Sequence, residues 1–110
     1  MDHAETIAAA AARGFPVLKC QECAENIRKA LIAAGFHGQL IELRCPADYP
    51  FIVCMSYHGG RDSITENGRH LGIRVGDIVF DNLHPDGTPY DAWMRDFDAR
   101  EGFDVRLSDF

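Results

Sequence analysis

A chain of 110 residues, 46% of them hydrophobic, is long enough for one domain with a buried core and too short for two. Its longest charge-free runs, such as residues 50–60, fall well short of the roughly 20 apolar residues a membrane span needs, so no membrane contact is expected. Lys+Arg 11 against Asp+Glu 17 gives a net charge of −6, which argues against nucleic acid as a partner. The excess sits in residues 81–110, with 3 basic and 8 acidic groups, and reads as a solvated face.

Residues 1–13 hold Asp2, Glu5 and an alanine run, Ala8–Ala12, without the basic and strongly apolar regions of an export signal. A cytoplasmic location is the expectation, or else delivery by a route that reads no N-terminal signal. In such a setting the four cysteines (Cys20, Cys23, Cys45, Cys54) point to catalysis or plain burial rather than to disulfides.

Alanine-rich residues 2–13 predict a first helix, stopped by Gly14 ahead of Pro16. A second is predicted over 21–34, where Ala24, Ile27, Leu31 and Ala34 form one apolar stripe, Glu22 and Glu25 occupy the first turn, and Gly35 ends it. Alternation then marks a strand over 39–45, closed by Cys45-Pro46, and the apolar run 51–55 reads as a buried strand. Polar, glycine-rich residues 58–68 read as a loop, with His58-Gly59-Gly60 flanking a cleft. Residues 71–75 and 78–80 form a hairpin closed by Gly76-Asp77. Thr88-Pro89 reads as an N-cap and first helical position, followed by Tyr90, Trp93, Met94 and Phe97 at helical spacing, mainly as core. Residues 103–107 make a last strand. The order predicts an α+β fold in a single domain over 1–110, helices packed on an antiparallel sheet.

Three features could carry chemistry together. A cysteine pair, Cys20-Gln21-Glu22-Cys23, stands at a helix start, where unpaired N–H groups and the helix dipole favour a thiolate. His70 stands at the threshold of a strand, and Asp81-Asn82 end the strand paired with it. The two-residue turn brings His70 and Asp81 to one sheet edge, where an imidazole could take the thiol proton and a third polar group could fix its tautomer. Adjacent strand residues point to opposite faces, so only one of Asp81 and Asn82 can serve His70. Asp81 shares the face of Val79 and is the expected partner; Asp81→Asn should then cost activity far more than stability, and Asn82→Ala the reverse or little. His84-Pro85-Asp86-Gly87 reads as a turn.

The string KCQECAENIRKALIAAGFHG, followed by ENGRHLGIRVGDIVFDNLHPDGTPYDAW, resembles the papain fold toxin 2 family of bacterial polymorphic toxin systems. The likeness covers about residues 15–97 and rests on four motifs in order. These are Cys-x-x-Cys-Ala at a helix start, Gly-x-His-x-Gly in a strand, Val-Phe-Asp-Asn with His-Pro, and a Trp-bearing helix. It implies a minimal papain-like fold and a Cys-His-Asp thiol hydrolase, a peptidase, deamidase or transglutaminase-like enzyme, without a cofactor or metal. It further implies a protein substrate and a cognate immunity protein as partner. A non-catalytic papain-like binding module is the alternative.

Either thiol of the pair could be the nucleophile. Papain resembles Cys-x-x-Cys-Trp-Ala with the second cysteine attacking, which favours Cys23. The compact peptidase domains of bacteriocin exporters use the first, with small or apolar residues at +3, +4 and +7. Those offsets from Cys20 land on Cys23, Ala24 and Ile27, and from Cys23 on Asn26, Ile27 and Ala30, so Cys20 is the expected nucleophile. A zinc site from Cys20, Cys23 and two histidines is the competing reading, weakened because Cys45 and Cys54 do not form a second close pair. No glutamine precedes Cys20, which leaves the oxyanion donor unassigned, with the Gln21 backbone N–H in reach.

Overall fold

The computed structural model describes residues 1–110. Helix α1 spans His3–Ala12. Asp2 accepts from the Glu5 N–H at 2.8 Å while the Glu5 carboxylate takes the Asp2 N–H at 3.3 Å, a reciprocal cap that satisfies two of the helix's orphan donors. Helix α2 spans Cys20–Ala33 and buries Cys23, Ala24, Ile27 and Leu31 along one stripe. Both helices are followed by a glycine in the left-handed region, Gly14 (φ 87°) and Gly35 (φ 83°), where a side chain would be strained. No helix is long and apolar enough to cross a membrane.

Seven strands follow: β1 (Gln39–Arg44), β2 (Val53–Cys54), β3 (Arg69–Val75), β4 (Ile78–Phe80), β5 (Thr88–Pro89), β6 (Phe97–Asp98) and β7 (Asp104–Asp109), with helix α3 (Tyr90–Arg95) between β5 and β6. Five make one antiparallel sheet in the order β5-β4-β3-β1-β7, and β2 pairs with β6 beside it. The fold is α+β, as the patterning predicts.

The sheet separates two cores. On one face Leu71, Ile73, Val75 and Phe80 meet α1 and α2 through Ala8, Ala12, Ile27 and Leu31. On the other, Ile41, Leu43 and Val79 pack with Ile52, Cys54, Ile64, Trp93 and Phe97. Strand β3 faces both, which is why five of its seven residues are buried although Arg69, His70 and Arg74 are polar.

Four local expectations need correction. The run 51–55 is strand only at Val53–Cys54: Ile52 and Cys54 point inward while Phe51 and Met55 are half exposed, so it alternates instead of being buried throughout. Thr88-Pro89 pairs with β4 instead of opening the helix. Pro89 is extended (φ −56°, ψ 143°) and becomes the N-cap, and α3 starts one residue later. Phe97 falls beyond α3, in β6. The last strand runs to Asp109 and forms an edge exposed along its whole length.

Gly72 lets the Trp93 ring of α3 lie directly against the sheet. Its β3 position pairs with Ile41, and an added β-carbon would sit 2.7 Å from the Trp93 ring and 3.0 Å from Val79. Both are fully buried and cannot give way cheaply. Gly72→Ala should therefore destabilise the fold by about 1–3 kcal/mol in urea unfolding. The same change at Gly14, which meets nothing within 4 Å, should cost only its backbone strain.

Candidate active site

The β3–β4 hairpin positions two of the three expected residues. Gly76 (φ 61°) takes the left-handed turn position, and the ladder runs Val75↔Ile78, Arg74↔Val79, Ile73↔Phe80. Continued by one residue, that register sets Asp81 opposite Gly72, diagonal to His70 on the same face. The imidazole Nε2 of His70 lies 2.8 Å from Asp81 Oδ2, and both side chains are fully buried.

Asp81 is the most heavily hydrogen-bonded side chain in the molecule. Oδ2 also accepts from the Trp93 indole Nε1–H at 2.8 Å. Oδ1 accepts from the backbone N–H groups of Leu83 (2.9 Å) and His84 (2.6 Å), and lies 2.8 Å from His84 Nδ1. Burial alone would raise the Asp81 pKa; the contacts with His70 and His84 outweigh it and hold the carboxyl well below its usual range. His70 responds in the opposite sense. Burial lowers its pKa, but Asp81 first and Cys20 second carry it up to about 9.

Cys20, the first residue of α2, reaches the start of β3 from the other side. Its Sγ points at the Arg69 carbonyl oxygen at 3.8 Å. Burial pushes the thiol up, yet the His70 ring beside it prevails and lowers it from the ordinary value, helped by the Leu71 backbone. With Nε2 committed to Asp81, the Nδ1 nitrogen of His70 is left buried and without a hydrogen-bond partner. Cys23 is placed differently. Its Sγ is fully buried against the Ala12 carbonyl oxygen (3.6 Å), and burial, then the charges of Asp81 and Cys20, push it up to about 12. Cys20 and Cys23 share no site with a histidine pair, so the zinc arrangement drawn from them does not form.

Asn82 points to the opposite face, as strand alternation requires, and donates from Nδ2 to the Pro16 carbonyl oxygen at 2.9 Å. That oxygen also accepts from Lys19 N–H at 3.2 Å, closing a turn whose third residue, Leu18, sits at φ 76°. A leucine in that region stores strain immediately ahead of Cys20. Helix α2 then opens with no side-chain cap, so its first N–H groups are left without one. A cleft of about 180 Å³ lies here, between Leu18, Cys20 and Gln21 on one side and Thr65, Glu66 and Asn67 on the other. The segment before β3 thus flanks the cleft, and His58–Gly60, a short 3-10 turn, does not.

Two residues read from sequence as turn and core belong to the cluster. His84 is drawn back onto Asp81 by the tight turn, and the Trp93 N–H had to find an acceptor once buried. An acid three residues before a histidine, and a tryptophan in an apolar stripe, are the signals available for them. The large number of bonds also corrects the expectation for Asp81→Asn.

An α+β fold with two helices leading into a sheet, and a helix-start thiol against a strand histidine and its carboxylate, defines a papain-like domain. The family model for papain fold toxin 2 matches residues 2–98, and the chain belongs to that family. The match takes in α1, which the motif likeness alone does not reach. No curated protein and no solved structure matches the chain.

Asp81→Asn keeps one oxygen for five donors and turns an N–H₂ toward at least one of them. It should destabilise the fold by about 3–5 kcal/mol, measured by urea unfolding, while Asn82→Ala should cost about 1 kcal/mol. The His70–Asp81 pair also has a pH signature. Because the His70 pKa rises on folding from 6.5 to about 9, its contribution is complete below about pH 6.5 and is lost as pH climbs through 9. The stability advantage of wild type over His70→Gln should accordingly be largest near pH 6 and shrink toward pH 10.

Proposed function

We propose that this domain is a thiol hydrolase acting on an amide or ester carbonyl of a protein substrate, with Cys20 as nucleophile, His70 as general base and acid, and Asp81 as orienting carboxylate. The observation that carries the reading is the His70 ring. Asp81 holds Nε2 and leaves Nδ1 as the free nitrogen beside a thiol whose pKa is lowered.

The chemistry follows from that disposition. Nδ1 takes the Sγ proton, and the imidazolium that results is stabilised by the buried Asp81 carboxylate. The thiolate attacks the carbonyl carbon in the cleft. The oxyanion forms over the α2 N-terminus, where the Cys20 and Gln21 N–H groups are the donors closest in the chain. Nδ1 returns the proton to the leaving amine as the C–N bond breaks, giving a thioester on Cys20. Water, deprotonated by the same nitrogen, then cleaves the thioester and regenerates the thiol. An amine in place of water would give transamidation. With Sγ 3.8 Å from the Arg69 carbonyl oxygen, rotation about the Cys20 side chain would be needed to align it with Nδ1 for the transfer. In the toxin setting of the family, a cognate immunity protein that closes this cleft would silence the enzyme.

The test is thiol reactivity resolved by residue. At pH 6.5, iodoacetamide should modify Cys20 at least about tenfold faster than Cys23, Cys45 or Cys54, and His70→Ala should lower the Cys20 rate by at least about tenfold. An activity-based acyl probe should form one adduct, lost in Cys20→Ala. Four slow, equal thiols with no adduct would overturn the reading and leave a binding module.

A further inference from the structure

On the far side of Asp81 from His70 lies a second cluster that takes no part in the reaction above. Cys54 comes from β2, His84 from the turn after β4, and Asp96 from the end of α3. Their Sγ, imidazole nitrogen and carboxylate oxygen lie within 4.8 Å of one another. Asp96 Oδ2 is 3.3 Å from Cys54 Sγ and 2.6 Å from His84 Nε2. We propose that Cys54, His84 and Asp96 form a binding site for a divalent transition-metal ion of the zinc class.

The donor set is the first argument. One thiolate, one imidazole and one carboxylate are the ligand types zinc takes, and three protein ligands with an open fourth position is the arrangement of its reactive sites. Bonds of about 2.0–2.3 Å in a tetrahedron put neighbouring ligand atoms about 3.3–3.8 Å apart. The sulfur–oxygen separation is already in that range, and the His84–Asp96 pair need open only by about 1 Å.

Orientation is the second. A metal-bound histidine ordinarily donates its other ring N–H to a carboxylate, which fixes the tautomer and raises ligand basicity. His84 does this before any metal arrives: Nδ1 is 2.8 Å from Asp81 Oδ1, so Nε2 is the nitrogen presented to the cluster. Asp96 is aimed as well, since the Ser56 N–H holds its Oδ1 at 3.1 Å and leaves Oδ2 toward the site. Cys54 is fully buried, but His84 and Asp96 side chains keep 10% and 14% of their surface, enough to give an ion a way in.

The metal-stripped 110-residue chain, titrated with cobalt(II), should bind one equivalent. It should show a thiolate-to-cobalt charge-transfer band in the near ultraviolet with visible bands of tetrahedral intensity, both bleached by zinc(II). Cys54→Ser should abolish the charge-transfer band, and Asp96→Asn, at a partly exposed position, should weaken binding at least tenfold while near-ultraviolet circular dichroism reports an intact fold. Cys20→Ala should leave the titration unchanged. Zinc should also raise the melting temperature of wild type and not of Asp96→Asn. Absence of the band and of the melting shift at excess metal would overturn the proposal and leave a histidine clamped between two carboxylates. A band that survives Cys54→Ser and disappears in Cys20→Ala would overturn it equally, by moving the ion to the other thiol. None of these readouts depends on hydrolysis, so the site stands or falls separately from the function proposed above.

Discussion

A carboxylate sealed in the core must be met by donors on nearly every lone pair or be driven out of its charged form, and Asp81 is met by five. That requirement organises much of what surrounds it. It fixes the ring plane of His70, recruits the Trp93 indole from α3, and folds the chain back at Leu83 and His84. Elements distant in sequence are held in one place because each supplies a donor that the buried charge cannot spare. The positive character of two histidines on either side is what keeps the charge in place, and the apolar walls of Phe97 and Trp93 around His70, with ring centroids 4.8 Å and 6.0 Å away, keep water from competing.

The hairpin ties this centre to the Cys20 thiol through both of its faces. Asp81 looks into one core, and its neighbour Asn82 reaches the other way to the Pro16 carbonyl, in the turn that delivers Cys20 to the head of α2. One dipeptide thus sets the acid of the site and anchors the approach to the thiol. The strained Leu18 between those points is tolerable because the turn is pinned at Pro16 and continued directly by the helix.

How much of this could be read in the residues alone depended on whether a rule of local geometry applied. The α2 stripe, the Gly76-Asp77 turn and the opposite facing of Asp81 and Asn82 all follow from fixed periods of 3.6 and 2, and so the meeting of His70 with Asp81 is legible. The fate of Thr88-Pro89 is not, because its pairing with β4 is a tertiary choice that outweighs a good capping signal. His84 escaped for a related reason: a turn sequence says that the chain reverses, not what the reversed side chain will find. Trp93 is readable as buried, but the identity of its acceptor needs the Gly72 clearance that lets α3 lie against the sheet.

The residues that meet at the candidate site are far apart along the chain: the Cys20 thiol touches Arg69 across a separation of 49 residues. Contacts that long form late, since loop closure must precede them. Until β3 docks beside α2, Cys20 is a free thiol of ordinary acidity, near 8.5, with no base at hand. A nascent or unfolded chain therefore carries the sulfur without its reactivity. Docking of β3 against α2 is what gives Cys20 its imidazole neighbour, so the rate of Cys20 alkylation reports on that step of folding.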